Sequence, residues 1–321
     1  MLAFAAYCED DIFALYDHLA RGTYRHSAYE QFYVHDPKRR HISKAIVDDR
    51  VVHQALVQVL EPMVEPSFIF DSYASREGKG THAAIARFAG FLRRASRNNQ
   101  RTVFILKCDI RKFFDSIRHD ILLALLSRIV QDEPLFALCA EIVRSYRSAQ
   151  GIGRGLPLGN VTSQLFANIY LSSFDHFIKE ELRIQWYVRF CDDFLIAHHD
   201  RHVLDAFIPR IQEFLSVRCG LELHPKKVTI RKYMQGIDVL GTVVRPNAQT
   251  IRTNTKRRMM RRLRFVIQRH QSKDFSQEQL RATLQSYHGL LTHGDHRRIR
   301  SIVEEETWRA LTEWTEGESN P

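Results

Sequence analysis

WYVRFCDDFLIAHH, residues 186–199, sets two apolar arms around Asp192 and Asp193. Short arms rich in aromatic and β-branched residues, interrupted by a polar pair, read as a β-hairpin with the acids at its tip. The turn lacks the Asn-Gly or Asp-Gly pair common in two-residue hairpins, so the assignment rests on the arms. An Asp-Asp pair in a turn is ordinarily a solvated turn. Context alters that reading. Upstream, TVFILKCDI (102–110) is a second short apolar run that reaches Asp109. Neighbouring strands of one sheet would bring Asp109 beside Asp192 and Asp193.

Three aspartates at strand ends suit a particular chemistry. Nucleotidyl transfer has to neutralise a triphosphate, activate a hydroxyl and stabilise leaving pyrophosphate, work that two Mg²⁺ ions about 4 Å apart can share. Mg²⁺ takes hard oxygen ligands and keeps water or substrate oxygens, so two or three protein carboxylates suffice. Other catalytic patterns fit worse. H-E-x-x-H and G-x-S-x-G do not occur, and EGKGT (77–81) fails as a phosphate-binding loop because Gly80 and Tyr73 stand where Ser/Thr and Gly are needed.

Outward from these runs the pattern is α+β. DDRVVHQALVQVLEPMV (48–64) has helical spacing at Val52, Leu56, Val59 and Leu60, with Pro62 expected to stop the helix, and a loop then leads through SYASREGKGTHAA (72–84). TVFILKCDI, followed by KFFDSI and a helix-like stretch through ILLALLSRIV, reads as a strand feeding a helix. GIGRGLPLGNVTSQ (151–164) is a loop entering LFANIYLSSFDHFIKEEL (165–182), read as an amphipathic helix through Leu165, Ile169, Phe174, Phe177, Ile178 and Leu182. A helix over Val203–Val217 and strands in KKVTI and GIDVLGTVV follow. Beyond Pro246 the chain is helical and basic, with nine Lys or Arg and no acid from Arg252 to Lys273 and apolar residues at Met260, Leu263 and Ile267. Ser276 and Gln279 form a capping-box pattern for a helix burying Leu280, Leu284, Tyr287 and Leu291. A last helix is expected from Asp295 to about Trp314.

Composition bounds the partners. At 44% hydrophobic and 26% charged, the 321 residues are ordinary globular material rather than a disordered or fibrous chain. A net charge of +10 favours a polyanion, since Lys and Arg gain affinity by releasing counterions from phosphates; a membrane surface or an acidic protein stays open on charge alone. No run approaches the roughly 18 apolar residues of a membrane span. The start, MLAFAAYCEDDIF, lacks a basic leader and meets Glu9, Asp10 and Asp11, so no signal peptide is expected. Five scattered cysteines without a C-x-x-C read as reduced thiols in a cytoplasm.

RKFFDSI after Asp109, GLPLGNVTSQLFANIYL, YVRFCDDF, HPKKVTI and VLGTVV occur in the order of reverse-transcriptase motifs. SYASREGKGTHAA resembles the fingers motif that precedes them, and SYHGLLTHGDHRRIR resembles the thumb of diversity-generating retroelement reverse transcriptases. The resemblance implies a right-hand polymerase. Helical fingers would occupy 1–100 with part of 140–160 contributing, an antiparallel-sheet palm 101–246, and a basic helical thumb 247–321. It implies Asp109, Asp192 and the Ile110 carbonyl as ligands of two Mg²⁺ ions, which Mn²⁺ can replace, with Asp193 the third acid. Phe114 matches the aromatic gate that rejects a ribose 2′-hydroxyl; its other reading is a core aromatic, a place that Phe113 beside it could fill instead. Arg76 and Lys79 match basic positions near the incoming triphosphate, and Lys227 matches a lysine able to protonate pyrophosphate. Lys256, Arg257, Arg258, Arg261 and Arg262 would contact template and primer.

One loop departs from the general pattern. Most reverse transcriptases carry Gln-Gly and then Ser-Pro there, whereas this chain has Leu158-Gly159 and Ser163-Gln164. That form resembles retroelement enzymes that copy a template RNA with errors at adenines, and a small basic accessory protein is the partner such a context implies. Leu158 would remove a polar contact beside the nascent base pair, or merely pack under the loop. Some antiphage-defence reverse transcriptases share Ser-Gln. A non-catalytic RNA-binding protein on the same fold is the reading from another class.

Overall fold

The computed structural model describes residues 8–35, 39–272, 274–292 and 294–306. Helix α1 (Cys8–Ala20) precedes an antiparallel hairpin of β1 (Glu30–Val34) and β2 (Arg40–Lys44), in which Phe32 faces Ile42. Helix α2 (Val47–Val64) and α3 (Thr81–Ala95) lead to β3 (Phe104–Asp109), the short α4 (Phe113–Ser116), α5 (His119–Ile129) and α6 (Glu133–Arg144). Then come α7 (Val161–His176), β4 (Tyr187–Phe190), β5 (Asp193–His198), α8 (Arg201–Cys219) and β6 (Thr229–Lys232). The chain continues through β7 (Ile237–Val239), β8 (Thr242–Arg245), β9 (Ala248–Ile251), α9 (Thr253–Gln271) and α10 (Gln277–Thr292). Residues 297–306 are helical, and the remainder of the helix expected to reach Trp314 lies outside the described residues.

Two units emerge, Met1–Ala84 with Ile105–Ile230, and Ile85–Phe104 with Arg231–Pro321. They do not coincide with the expected divisions at 100 and 246. Hydrogen bonds explain the second unit: Tyr233 N–H donates to the Val103 carbonyl (2.9 Å) and the Asn99 side-chain Nδ2 to that of Pro246 (3.3 Å), so the end of the first helical region belongs with the C-terminal one.

In the first unit α7 is the central helix. Thr162, Ser163, Asn168 and Asp175 are buried along with Leu165, Phe166, Ile169, Tyr170, Leu171 and Phe174. It is therefore not the one-faced amphipathic helix the sequence suggested, and a helix enclosed on nearly every side has to satisfy its polar groups internally. On α2 the buried face runs through Val52, Leu56, Val57, Leu60 and Val64, while Val59 is 49% exposed. Pro62 sits inside α2 rather than ending it: proline forfeits one hydrogen bond to the preceding turn, and the helix continues for two residues before a 3₁₀ turn at Glu65–Ser67. The sheet has the strand order β4-β5-β3-β6, and β4 and β5 pair antiparallel with Phe190 opposite Asp193.

The second unit holds the meander β7-β8-β9. GIDVLGTVV is two strands rather than one, because Leu240 (φ +51°) and Gly241 (φ +90°) make a two-residue turn with both central residues left-handed. Ile251, Met259, Leu263, Leu291 and Val303 form its core, with Met260, Ile267, Leu284, Tyr287 and Ile299 half-buried against them. The capping box is present: Gln279 N–H donates to Ser276 Oγ (3.2 Å) and Ser276 N–H to Gln279 Oε1 (2.9 Å).

The most demanding buried group is Arg189 on β4, 1% exposed. Its guanidinium grips the Asp175 carboxylate of α7 with Nε (2.8 Å) and Nη2 (2.6 Å). It also donates to Asn168 Oδ1 (3.2 Å), Ser72 Oγ (3.1 Å) and the Cys191 carbonyl (3.1 Å), which satisfies all five N–H donors. Burial alone would make this arginine easier to deprotonate, but the Asp175 charge outweighs it and holds the proton more firmly than usual. Removing one partner of such a pair strands the other charge in the interior. Asp175→Leu is expected to lower unfolding free energy by about 3–5 kcal/mol, and Arg189→Met added to it to recover much of the loss. Equilibrium urea unfolding reads both, and a single variant as stable as the parent would contradict the role given to this pair.

Candidate active site

The site begins where β3 ends. Ile105, Leu106 and Cys108 are buried, so the strand delivers Asp109, itself only 9% exposed, to the margin of the core. The β4–β5 hairpin arrives next to it with a two-residue turn, Cys191-Asp192, whose first residue has φ +56°. A left-handed non-glycine residue costs about 1–2 kcal/mol. The Arg189 bond to the Cys191 carbonyl holds that strained turn, and Ile110 N–H donates to the Asp192 carbonyl (3.2 Å), tying the turn to the end of β3. On the other side of β3, His224 N–H donates to the Asp109 carbonyl (2.8 Å) and Arg111 N–H to that of Glu222 (2.8 Å).

These ties bring together the three acids picked out from sequence. The Asp109 carboxyl is close enough to Asp193 to help raise it. Burial first, and then the Asp109 charge, push the Asp192 carboxyl up to about 6. Burial also raises Asp193, against the pull of Lys107. Lys227, likewise expected at the site, places Nζ 2.6 Å from Asp109 Oδ2. Neighbouring thiols stay protonated, since burial pushes both Cys108 and Cys191 up to about 12.

Among the described residues no three His, Cys, Asp or Glu side chains form a ready-made metal cage. The donor set nevertheless fits Mg²⁺, which binds through one or two carboxylates completed by substrate phosphates and water. Crowded carboxyls that lift one another's proton affinity are the local charge imbalance a divalent cation relieves.

Other expected site residues distribute differently. Phe113 is 2% exposed and packs in the core, whereas its neighbour Phe114 is half-buried, the rings meeting edge to face at 5.4 Å. Leu158 is half-buried, and its carbonyl accepts from Ser43 N–H (3.0 Å). Gly159 has φ +117°, and a Cβ there would lie 2.9 Å from Ile42 Cγ2, so the loop requires glycine. Gln164 is exposed and accepts from Ser75 Oγ (2.7 Å). A cavity of about 460 Å³ opens beside Gly159 and Asn160, with Arg50 and Gln54 of α2 across from them.

Arg76 and Lys79, expected near the incoming triphosphate, both have partners in their own segment. The Arg76 side chain is 5% exposed; it pairs with Glu65 and donates to the carbonyls of Ile69 and Ser72 (both 2.8 Å). Lys79 donates to the Phe70 carbonyl (2.9 Å) and lies 3.3 Å above the Phe70 ring. Both cations fasten their own loop.

In the second unit, α9 buries Met259, Leu263, Val266 and His270 and leaves Arg257, Arg258, Arg261 and Arg262 exposed, with Lys256 half-buried. Sequence reading overlooked three residues. Arg189 and Asp175 are charges inside apolar runs, a signal of a buried pair. Phe265, 44% exposed between Arg262 and Arg269, is an aromatic on a basic helix face.

The raised Asp192 carboxyl gives stability a pH dependence with a definite sign. Its folded-state pKa lies above the unfolded one, so its contribution is fully present below about pH 4. It is lost as pH rises through about 6. Without divalent metal, Asp192→Asn should therefore raise unfolding free energy at pH 8 by roughly 1–3 kcal/mol, with the gain fading between pH 6 and 4. Thermal melts in EDTA across that range are the measurement. A variant that melts lower than the parent at pH 8 would mean the acids are not crowded.

The sequence profile described as "Reverse transcriptase (RNA-dependent DNA polymerase)" matches residues 35–244, more than half of the chain. The protein YkfC of Escherichia coli K12 is 27% identical over 265 residues, covering 71% of this chain and 69% of that one. The group II intron-encoded protein LtrA of Lactococcus lactis is 25% identical over 54% of this chain and 29% of its own. Among solved structures, telomerase from Candida albicans in complex with a telomeric RNA fragment superposes with a TM-score of 0.59 at 14% identity, over 92% of this chain and 56% of that one. The chain thus spans about half of the telomerase, and the likeness establishes a mixed α/β polymerase-like fold. It belongs to the reverse transcriptase family.

Proposed function

We propose that the chain is an RNA-directed DNA polymerase that extends a primer on an RNA template, with Asp109, Asp192 and Asp193 at the chemical centre. The convergence of these three carboxyls at the ends of β3 and of the β4–β5 hairpin carries the reading. Asp109 and Asp192, with the Ile110 carbonyl, would hold Mg²⁺ or Mn²⁺. When bound, the metal lowers the pKa of the attacking hydroxyl and neutralises phosphate charge. The protein's own share is alignment: the hairpin and β3 hold the acids in one register, so that a primer 3′-hydroxyl meets the α-phosphate of a dNTP in line. Lys227, beside Asp109, is positioned to give a proton to leaving pyrophosphate once the ion pair is exchanged for metal. Half-buried Phe114, rather than core-bound Phe113, is the ring available to exclude a ribose 2′-hydroxyl. The exposed arginines of α9 and Phe265 suit phosphates and a stacked base.

Error-prone copying within a diversity-generating retroelement, in the cytoplasm and with a small basic accessory protein, is the biological setting we favour. Leu158 supports it. Its backbone is held by Ser43 and its neighbour has to be glycine, so an apolar side chain occupies a fixed place where most reverse transcriptases carry Gln.

Primer extension with Mg²⁺ tests the chemistry. The parent should extend an RNA-templated DNA primer, Asp192→Ala should lose at least about a hundredfold in rate, and Phe114→Ala should admit ribonucleotides while still using deoxynucleotides. Equal RNA binding with no synthesis by parent and Asp192→Ala alike would instead favour a non-catalytic RNA-binding protein. Sequencing of the cDNA tests the setting: errors should concentrate at template adenines and fall several-fold in Leu158→Gln. An even spread of errors across the four template bases would remove the fidelity role of Leu158.

A further inference from the structure

Two residues past Asp109 the chain enters a second cavity, of about 310 Å³, whose lining includes none of the three acids and not Lys227. Its cations are Arg111, Lys112 and Arg154; Ser116 and Gln150 supply hydroxyl and amide, and Glu222 is its one carboxylate. We propose that this cavity binds a small phosphate anion, of the pyrophosphate class.

The charge balance is the first argument. Three cations face one carboxylate, and that carboxylate is already engaged by Arg111 at 3.2 Å in a pair with side chains 55% and 71% exposed. Exposed pairs of this kind are worth at most about 1 kcal/mol, so Arg111 can exchange Glu222 for a multivalent anion at little cost. Arg118, close by, does not add to the balance, since it is chelated by Asp120 through Nε (3.0 Å) and Nη2. Neither Lys112 nor Arg154 has a side-chain hydrogen bond or ion pair among the described residues.

Shape and rigidity supply the second argument. Ser116 Oγ donates to the Lys112 carbonyl (2.9 Å) and accepts from the Gln150 amide (3.0 Å), which fixes the polar wall. Ser148 N–H donates to the Arg154 carbonyl (2.9 Å), fixing the backbone that carries the third cation. Gly220 ends α8 at φ +60°, in the left-handed region that favours glycine, and packs against the Arg118 side chain. No aromatic ring lines the cavity to stack a base. Its volume suits a diphosphate with several waters, each taking about 30 Å³. Arginine forks and a lysine point charge are the usual partners of such anions.

Resting on the polymerase reading, the cavity would receive pyrophosphate as it leaves the acids, a few residues along the same chain segment. Calorimetric titration of the full chain with sodium pyrophosphate in EDTA tests the site apart from any metal. The parent should bind, and Lys112→Gln with Arg154→Gln should weaken binding at least about tenfold, as expected when charge-assisted hydrogen bonds are lost. Arg261→Gln with Arg262→Gln should leave it within about twofold, the scatter of an unrelated surface change. Neither replaced side chain has a hydrogen-bond or ion-pair partner among the described residues, so the thermal midpoint should not move; if it falls, Lys112→Gln alone replaces the pair. Equal weakening by the α9 variant, no saturable binding by the parent, or a short oligonucleotide displacing pyrophosphate phosphate for phosphate would each overturn the proposal, the last in favour of a nucleic-acid backbone. If pyrophosphate binds as expected but the parent makes no cDNA, the anion site stands and the polymerase reading falls.

Discussion

The bidentate pair between Arg189 and Asp175 is the interaction on which the acid cluster depends. Asp175 lies on the most enclosed helix of the first unit, and Arg189 lies two residues before a turn that is strained at Cys191. Through one guanidinium the core helix, the Ser72 segment and the Cys191 carbonyl are fixed relative to one another. Backbone bonds extend the clamp: Arg189 N–H donates to the Asp71 carbonyl and Tyr73 N–H to that of Arg189, both at 3.0 Å. Asn168 Nδ2 then reaches the Ala74 carbonyl (2.8 Å). A buried ion pair gives little net stability against an apolar replacement of equal shape. What it provides here is position, because no apolar side chain could satisfy the turn carbonyl that carries Asp192.

Position matters because the acids oppose one another. Asp192 is raised by burial and then by Asp109, and Asp193 by burial with Asp109 adding to it, so the fold holds both groups where a neighbouring carboxyl disfavours their charge. Lys227 offsets part of that repulsion at Asp109. A chain selected for stability alone would space such groups apart or neutralise them. Their confinement beside a strained turn, within a scaffold that over-determines the geometry, is the arrangement expected where local strain serves chemistry.

Much of this was legible in the sequence. The hairpin arms, the strand ending at Asp109 and the capping box at Ser276 are local patterns, and local patterns survive folding. What was not legible depends on distant partners. Whether Pro62 ends α2 is decided by packing around the helix end, since Val64 is fully buried and pulls the helix onward. Whether α7 is one-faced depends on how many elements surround it. Arg76 and Lys79 look like free loop cations until Glu65 and the carbonyls of Ile69, Ser72 and Phe70 are placed around them. The turn at Leu240-Gly241 was hidden because a leucine in the left-handed region is rare and carries no sequence signature.

The loop at 158–160 joins these themes. Asn160 begins α7 without capping it; its amide instead brackets the end of β2, accepting from Ala45 N–H (2.9 Å) and donating to the Ser43 carbonyl (2.8 Å). Ser43 N–H in turn binds the Leu158 carbonyl, and Gly159 passes Ile42 too closely for any side chain. These restraints on Leu158 act through backbone and through its neighbours. Hydrogen bonds from Ser43 and Asn160 thus hold the loop path without needing a polar group at residue 158. Chemistry at that position can be tuned by one substitution, whereas the acids, fixed by Arg189 and Asp175, cannot move without the core.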